Sequence, residues 1–576
     1  NAGVAPKLAL IRELFSPTGA KGQRPAATPA VAPVAPTPVA AADAGAPEAA
    51  PPRVAVPTPG PARDVHLPPV RATTLANGLA VQLVEYHTLP VLHLRLVVGA
   101  GSATDPANLP GLASFTGDMI REGTTTRSSA QIAEAIEFVG GSISVSTSAD
   151  VTVLSVSVLR DHAETALNLL ADVVGRPTFP QVEINKLKRR ENDRLQQSRN
   201  DPGWLTRRAF YQGLYGEGHP YGRIDTTTQA LARLTRADLV AYHRARYVSG
   251  NMFLTVVGDV QPAAFDALLG RTLGTLRRGT ATAAPIAAAP AAAARQIVLV
   301  DRPESAQSVI RIGNVSLRRA DPDWVPFTVA NQLLGGGVSS RLFMDLRELR
   351  SLSYGVYARM GENVGESQWF AGGQVRTAVT GDALHALFRH LECLTTEPAP
   401  EPELAMTRSY LTDSFALSIE TPGNVADLIS GMRIFGLPAD YYDTLRARVT
   451  AVDAAASLAT ARRYIRPDRS LVVVVGTASA PVEVGPRCAA SAALPADATF
   501  AQQLQACQAR VEGAAPREAQ PLQEVLRSFG PVRVVDLDGH LVRELTATAP
   551  SAPPIRARCE ELSTPALQAV AHSGQH

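Results

Sequence analysis

A chain of 576 residues, 45% of them hydrophobic and 19% charged, can bury large cores and should fold as more than one domain. Its net charge of +2 gives no reason to expect nucleic acid or an acidic substrate as a partner. No run reaches about eighteen nearly uncharged apolar residues, so no membrane span is expected.

The chain opens at Asn1 rather than Met, from which we expect a missing leader and, through it, tethering to a membrane. Residues 1–19 form a short N-terminal segment, with a brief amphipathic helix expected over APKLALIRELF at 5–15. Residues 20–70, rich in Ala, Pro, Val and Thr, hold too few large apolar side chains to offset the entropy of ordering. They read as a polyproline-like tether.

The first body spans 71–278. Two strands are expected at 79–85 and 91–98, turning at Thr88 to Pro90. Ser128 and Gln131 form a capping box ahead of a helix through Ile132, Ile136 and Val139 that Gly140 and Gly141 stop. Paired strands follow at 142–147 and 151–159, then a helix capped by Asp161 to Glu164. A charged helix at 182–197 ends before Asp201-Pro202. The sequence HPYG at 219–222 reads as a loop, Thr235 to Asp238 cap another helix, and a strand at 251–257 closes on Gly258.

Residues 279–294 are a low-complexity linker, and the body at 295–480 repeats the order of the first. Its strands are expected at 296–300, 308–315 and 471–475, with Thr450 to Asp453 capping a helix ahead of the last. The capping threonines Thr235 and Thr450 lie 215 residues apart, and the closing glycines Gly258 and Gly476 lie 218 apart. Such agreement marks an internal duplication. Alternating strands and helices in two bodies fit an α+β fold in which helices cover antiparallel sheets.

Residues 481–576 have no counterpart in the repeat and read as a small appended C-terminal module. Helices are expected at 500–511 and 522–529, and a hairpin at 531–545 turning at Asp538-Gly539. Asp536 and Asp538 suit that turn better than a calcium loop. Cys488 with Cys507 could close a modest disulfide loop suited to an extracytoplasmic protein, while Cys393 stands alone in a helix. No CxxC pair is present, so a cysteine zinc site is not expected.

One stretch carries the functional argument. GLASFTGDMIR, Gly111 to Arg121, places Leu112, Phe115 and Met119 on one helical face and brings Ser114, Gly117 and Asp118 together at i, i+3 and i+4. With Gly123-Thr124 behind it, this stretch resembles the active-site helix of the pitrilysin-like (M16) zinc metallopeptidases, M16B type. Together with the repeat, the resemblance covers about Arg71 to Ala480. It implies two homologous halves facing each other as a clamshell, with zinc held in the first and substrate contacts supplied by the second.

Where the family has the His, Glu and His of its zinc motif, this chain has Ser114, Gly117 and Asp118. Counting about 76 residues on from Asp118, where the family places a glutamate ligand, reaches Arg194, whose charge would repel a divalent cation. We therefore expect no metal or cofactor on this chain. Ser114 and Asp118 should hydrogen-bond locally, with Arg194 paired to Asp118, while Glu191 and Asp193 face elsewhere on their helix.

Other histidines offer no ligand set. His93, His162, His219 and His243 have no neighbours at ligand spacing, and His385 and His390 lie about 140° apart around a helix; both read as ordinary helix positions. No GxSxG elbow supports a serine hydrolase.

In the second body, Gly335, Gly336 and Gly337 lead through Ser339-Ser340 into a helix, and Arg347 and Tyr354 follow seven residues apart. This closely resembles the family's second-half signature. By that resemblance Arg347 and Tyr354 bind substrate at a site completed by a partner, and the three glycines help guide a peptide.

The expectation is a catalytically deficient subunit that pairs with a zinc-bearing M16 peptidase, the zinc lying in that partner, and helps it hydrolyse a peptide or unfolded polypeptide. The alternative is a purely structural or binding subunit of a bacterial envelope assembly. The tether and cysteines point to the periplasm or cell envelope of a Gram-negative bacterium.

Overall fold

Strands β6 (Met252–Gly258) and β11 (Leu471–Gly476) carry almost unbroken apolar runs, MFLTVVG and LVVVVG. Such runs are buried on both faces of a sheet. The computed structural model, which describes residues 65–282, 286–484, 494–495, 497–508, 518–550 and 555–573, places each of them inside a mixed sheet. The tether up to residue 64 and the helix expected at 5–15 lie outside the described residues.

The first sheet is built from β1 (Arg71–Thr74), β2 (Ala80–Glu85), β3 (Val91–Val98), β4 (Ser142–Thr147), β5 (Thr152–Leu159) and β6. Its spatial order is β1-β2-β6-β3-β5-β4. The second takes β7 (Gln296–Asp301), β8 (Gln307–Val315), β9 (Ser353–Met360), β10 (Gln368–Arg376) and β11 in the order β7-β11-β8-β10-β9. The five-strand order β2-β6-β3-β5-β4 is thus repeated position for position. Neither sheet is purely antiparallel as expected, because β2 runs parallel to β6 and β7 parallel to β11.

The helices ahead of β6 and β11 sharpen the repeat. Thr235 caps the Arg236–Arg246 helix by accepting from Asp238 N–H. The matching Ala454–Tyr464 helix is capped by Asp453, not Thr450, the carboxylate accepting from Ala456 N–H. Asp453 lies 218 residues beyond Thr235, the same interval that separates Gly258 from Gly476. The two capped units therefore align in sequence without a gap.

The strand period of two sends alternate side chains of each sheet to different cores. On β11, Val472 and Val474 join Ile297 and Leu299 of β7 beneath the helices of the second half. Leu471, Val473 and Val475 point the other way, with Val298 and Val300, into the core that contains Leu205, Phe210 and Leu214. Those three belong to the helix Pro202–Tyr215 of the first half, which packs across β8 and β11. The exchange is reciprocal. The second half's helix Pro422–Phe435 packs on β3 and β6, its Val425, Ala426 and Ile429 clustering with Val84 and Val257.

The C-terminal addition is built into the second half. The expected hairpin is β14 (Val532–Val535) with β15 (Leu541–Leu545). Strand β14 runs parallel to β7 and so extends the second sheet to seven strands. Two short strands, β12 (Pro481–Glu483) and β13 (Ala519–Pro521), pair beside it.

Cys393, which the sequence left alone, is disulfide-bonded to Cys559 across 166 residues. It sits in a core with Leu349, Phe500, Leu562 and Leu567. Cys488 and the side chain of Cys507, the expected pair, lie outside the described residues. Among the described residues no helix is long and apolar enough to cross a membrane.

Because Ile429 is fully buried in the exchanged contact, Ile429→Ala should lower unfolding free energy by about 2–5 kcal/mol. A urea titration of the full chain reads this as an earlier midpoint.

Candidate functional site

The helix Leu112–Met119 buries Leu112, Phe115 and Met119 as its spacing predicts. It starts at Gly111 with φ of 90°, and a Cβ there would lie 2.5 Å from Thr226 Cβ. Both the left-handed backbone and the crossing loop at 223–226 require glycine. A glycine cannot cap with a side chain. Asp105 does so instead, accepting from Gly111 N–H at 2.7 Å and Ala113 N–H at 2.8 Å. Burial pushes the Asp105 carboxyl up to about 6.

Ser114, Asp118, Glu191, Arg194 and Asp225 line one pocket of about 120 Å³. The sequence therefore located the right neighbourhood, with two corrections. Glu191, expected to face elsewhere, shares the pocket because it lies one turn before Arg194 on the Gln181–Ser198 helix. Arg194 pairs not with Asp118 but with Asp225, donating Nη1 at 3.0 Å and Nη2 at 2.5 Å, while its Nε donates to Glu191 at 2.8 Å.

Asp225 is held for this role. It also accepts from Trp204 Nε1 at 3.1 Å and Thr226 N–H at 3.0 Å. The loop delivers both carboxylate oxygens to the planar guanidinium, a fork-to-fork geometry, and the bond to Asp225 holds the Arg194 guanidinium well above its usual pKa. Sequence reasoning missed Asp225, since a loop residue meeting a helix across 31 positions obeys no spacing rule. The one signal was an arginine that needed a carboxylate. Asp118 stays behind, its carboxyl pushed up by burial and then by the charge of Glu191.

Gly117 stands at the position of the family's base. A Cβ there would sit 3.1 Å from Thr147 Oγ1 and 3.3 Å from Val145 Cγ1, so the helix packs closely on β4 at this point. Zinc needs several imidazole, thiolate or carboxylate donors around a tetrahedron. A hydroxyl and three carboxylates, two of them already bound to a guanidinium, do not fit it, and no HxxEH occurs in the chain.

In the second half, Arg347 lies on a widened π turn, Met344–Leu349, and Tyr354 on β9. The guanidinium carbon of Arg347 stacks 4.8 Å from the Tyr354 ring and 4.6 Å from that of Phe343, and Nε lies 3.3 Å from Glu348. Tyr354 is 87% exposed, which is unusual for an aromatic residue on a strand.

The glycines have a packing role. Gly335 is buried, and a Cβ on it would lie 2.3 Å from Ala358 N, so its absence lets the turn Gln332–Gly336 abut β9. Beneath Arg347, Asp345 accepts from Arg350 Nε at 2.6 Å and faces His390 Nε2 at 2.9 Å, both fully buried. His390 is therefore no ordinary helix position but a support of the π turn. His385 packs on Phe529.

Among the described residues one set of metal-type side chains does gather, Asp536, Asp538 and His540. Asp536 accepts the amides of Asp538 and His540, and Asp538 pairs with Arg199 at 2.5 Å. These are the contacts of the β14–β15 turn.

Residues 81–212 match the model of insulinase, peptidase family M16, and residues 233–411 match that of the peptidase M16 inactive domain. The chain carries two M16 domains. An uncharacterized zinc protease of Mycobacterium tuberculosis is 28% identical over 412 residues, covering 68% of this chain and 91% of that protein. One from Bacillus subtilis is 27% identical over 293 residues, covering 50% and 69%.

Among solved structures, an M16 inactive domain from Pseudomonas fluorescens aligns with a TM-score of 0.67 at 27% identity, covering 71% of this chain and 98% of that one. A protease from Helicobacter pylori aligns with the same TM-score at 20% identity, covering 71% and 100%, and shares the fold. The M16 fold is present while the M16 zinc motif is not.

Metal analysis of the purified chain should find no stoichiometric zinc. Arg194→Ala, which strips Asp225 and Glu191 of a cation, should cost on the order of 1–2 kcal/mol in a denaturant titration. The Asp118 carboxyl titrates higher folded than unfolded, so charging it destabilises the fold as pH rises between the two values. Asp118→Asn should therefore raise the melting temperature at pH 7 and leave it unchanged near about pH 3, below the ordinary carboxylate range.

Proposed function

We propose that this chain is a catalytically deficient M16 subunit that pairs with a zinc-bearing M16 peptidase and lends it Arg347 and Tyr354. The observation that carries the reading is a contrast between the halves. In the first half, Arg194 is locked to Asp225 and Glu191, whereas in the second the half-buried Arg347 stacks on Tyr354, whose ring stands 87% exposed. An aromatic ring kept for stability alone would gain from burial; an exposed one, backed by a guanidinium, is available to a ligand.

The chemistry of the pair suits peptide hydrolysis. A guanidinium holds a substrate carbonyl or terminal carboxylate, and a phenol donates to oxygen as negative charge develops. Gly335, by seating its turn against β9, fixes the strand that presents Tyr354, and Gly336 and Gly337 continue that turn toward the peptide. The cleft of about 440 Å³ lined by Ser146 and Asp150 of the first half and Asp427 and Tyr442 of the second gives room for an extended peptide. The unpaired outer edges of β4 and β9 offer backbone groups to one.

Relatives named as zinc proteases support a proteolytic assembly. The Cys393–Cys559 disulfide supports an oxidising compartment, the periplasm or envelope of a Gram-negative bacterium, where residues 20–70 would tether the folded body to a membrane.

The chain alone should cleave no peptide, and adding an HxxEH-bearing M16 chain from the same organism should give activity. In that mixture Arg347→Ala or Tyr354→Phe should lower kcat by about 10²–10³-fold. A mixture whose rate neither change affects removes the assigned role.

A further inference from the structure

Between the second half and the C-terminal addition lies a cleft of about 660 Å³, a size that suits a small molecule. Four arginines line it: Arg295, Arg350, Arg389 and Arg556. Two are already balanced. Arg350 pairs with Asp345 at 2.6 Å and Arg389 with Glu392 at 2.8 Å. The remaining carboxylate of the lining, Asp468, lies 3.4 Å from Arg469. His385, pushed down to about 4 by burial, is uncharged at neutral pH. With Asp468 acting on Arg295 as well as on Arg469, the lining keeps a net positive charge shared by Arg295 and Arg556.

Both arginines are positioned without being neutralised. Arg295 donates Nε to Pro467 O at 2.9 Å and Nη1 to Phe529 O at 3.1 Å, and its guanidinium carbon lies 4.1 Å from the Phe388 ring. These contacts orient the cation, while burial disfavours its charge. No carboxylate forms an ion pair with it among the described residues.

Arg556 is fixed through its backbone. Its N–H donates to Gln503 Oε1 at 2.9 Å, and its carbonyl accepts from Gln503 Nε2 at 3.0 Å. Next to it, Ala557 O accepts from Arg389 Nε at 2.8 Å, and Cys559 is bonded to Cys393. The Arg556 side chain itself has no partner among the described residues. A wall anchored at three points thus presents an uncommitted guanidinium to a cleft that holds a second one. Of the two, the half-buried Arg295 bears the cost of a cation left without a counter-ion, and Arg556, exposed on the wall, lines the same cleft with no competing partner.

We propose that this cleft binds a small organic anion, its phosphate or carboxylate received by Arg295 and Arg556 and its apolar part resting on Ile555 and Ala386. The ligand would bridge the second M16 domain and the C-terminal addition, which gives residues 481–576 a binding role separate from Arg347 and Tyr354.

Titration calorimetry on the full chain tests this with phenyl phosphate, benzoate and phenol. Saturable binding of phenyl phosphate or benzoate, with none of phenol, is the expected result, and the tighter anion tells phosphate from carboxylate. Arg556→Gln should weaken that binding at least about tenfold without lowering the melting temperature, because its guanidinium supports nothing else. Arg295→Gln should weaken it similarly, and Tyr354→Phe should leave it unchanged. The assignment is overturned if neither anion binds saturably, or if Arg556→Gln leaves the affinity as it was.

Discussion

Both faces of the two central strand pairs are apolar, and each sheet takes a helix of the other half to cover one of them. That constraint shapes the molecule. The helix Pro202–Tyr215 leaves the first half to cover the second sheet, and Pro422–Phe435 makes the reverse journey. Each half therefore finishes the other's core. Separating them would expose Val298, Val300, Leu471 and Val473 on one side and Val84 and Val257 on the other, at roughly 1.5–3 kcal/mol for each large side chain uncovered. The two sites described above are held by this mutual burial.

Against that shared scaffold the halves have diverged in electrostatics. In the first, the elements that form the pocket bring acids and two arginines together, and one of these, Arg194, is bonded to Asp225 and Glu191. The arrangement satisfies charge internally, as a structural contact does. In the second, charge is satisfied below the surface, by Asp345 with Arg350 and by Arg341 with Glu403 at 2.5 Å. Arg347 and Tyr354 stand above that layer.

The C-terminal addition reinforces the same region. Glu403, besides holding Arg341, accepts the Thr564 N–H at the start of the last helix. The disulfide and Phe500, with Arg350 stacked 5.0 Å away, close over the π turn. An addition that looks separable by repeat analysis is thus joined to the second half by sheet pairing, buried charge and a covalent bond.

Much of this was legible in the residues. Alternation and capping located β3 at Val91–Val98 and β4 at Ser142–Thr147 and the capping box at Ser128, since periodicity and local hydrogen bonds are short-range properties. The motif frame around Gly111 placed Ser114, Asp118 and Arg194 in one neighbourhood, and the absence of an HxxEH motif is a fact of sequence alone. Only tertiary structure decided who meets whom across long separations. Arg194 with Asp225, His390 with Asp345, Cys393 with Cys559 and the exchanged helices are set by how elements dock, and docking leaves no periodic trace along the chain. The sequence determined the elements, their repeat and the missing zinc motif; three-dimensional packing chose the partners, because a charge or thiol binds whichever group the fold carries within about 3 Å of it.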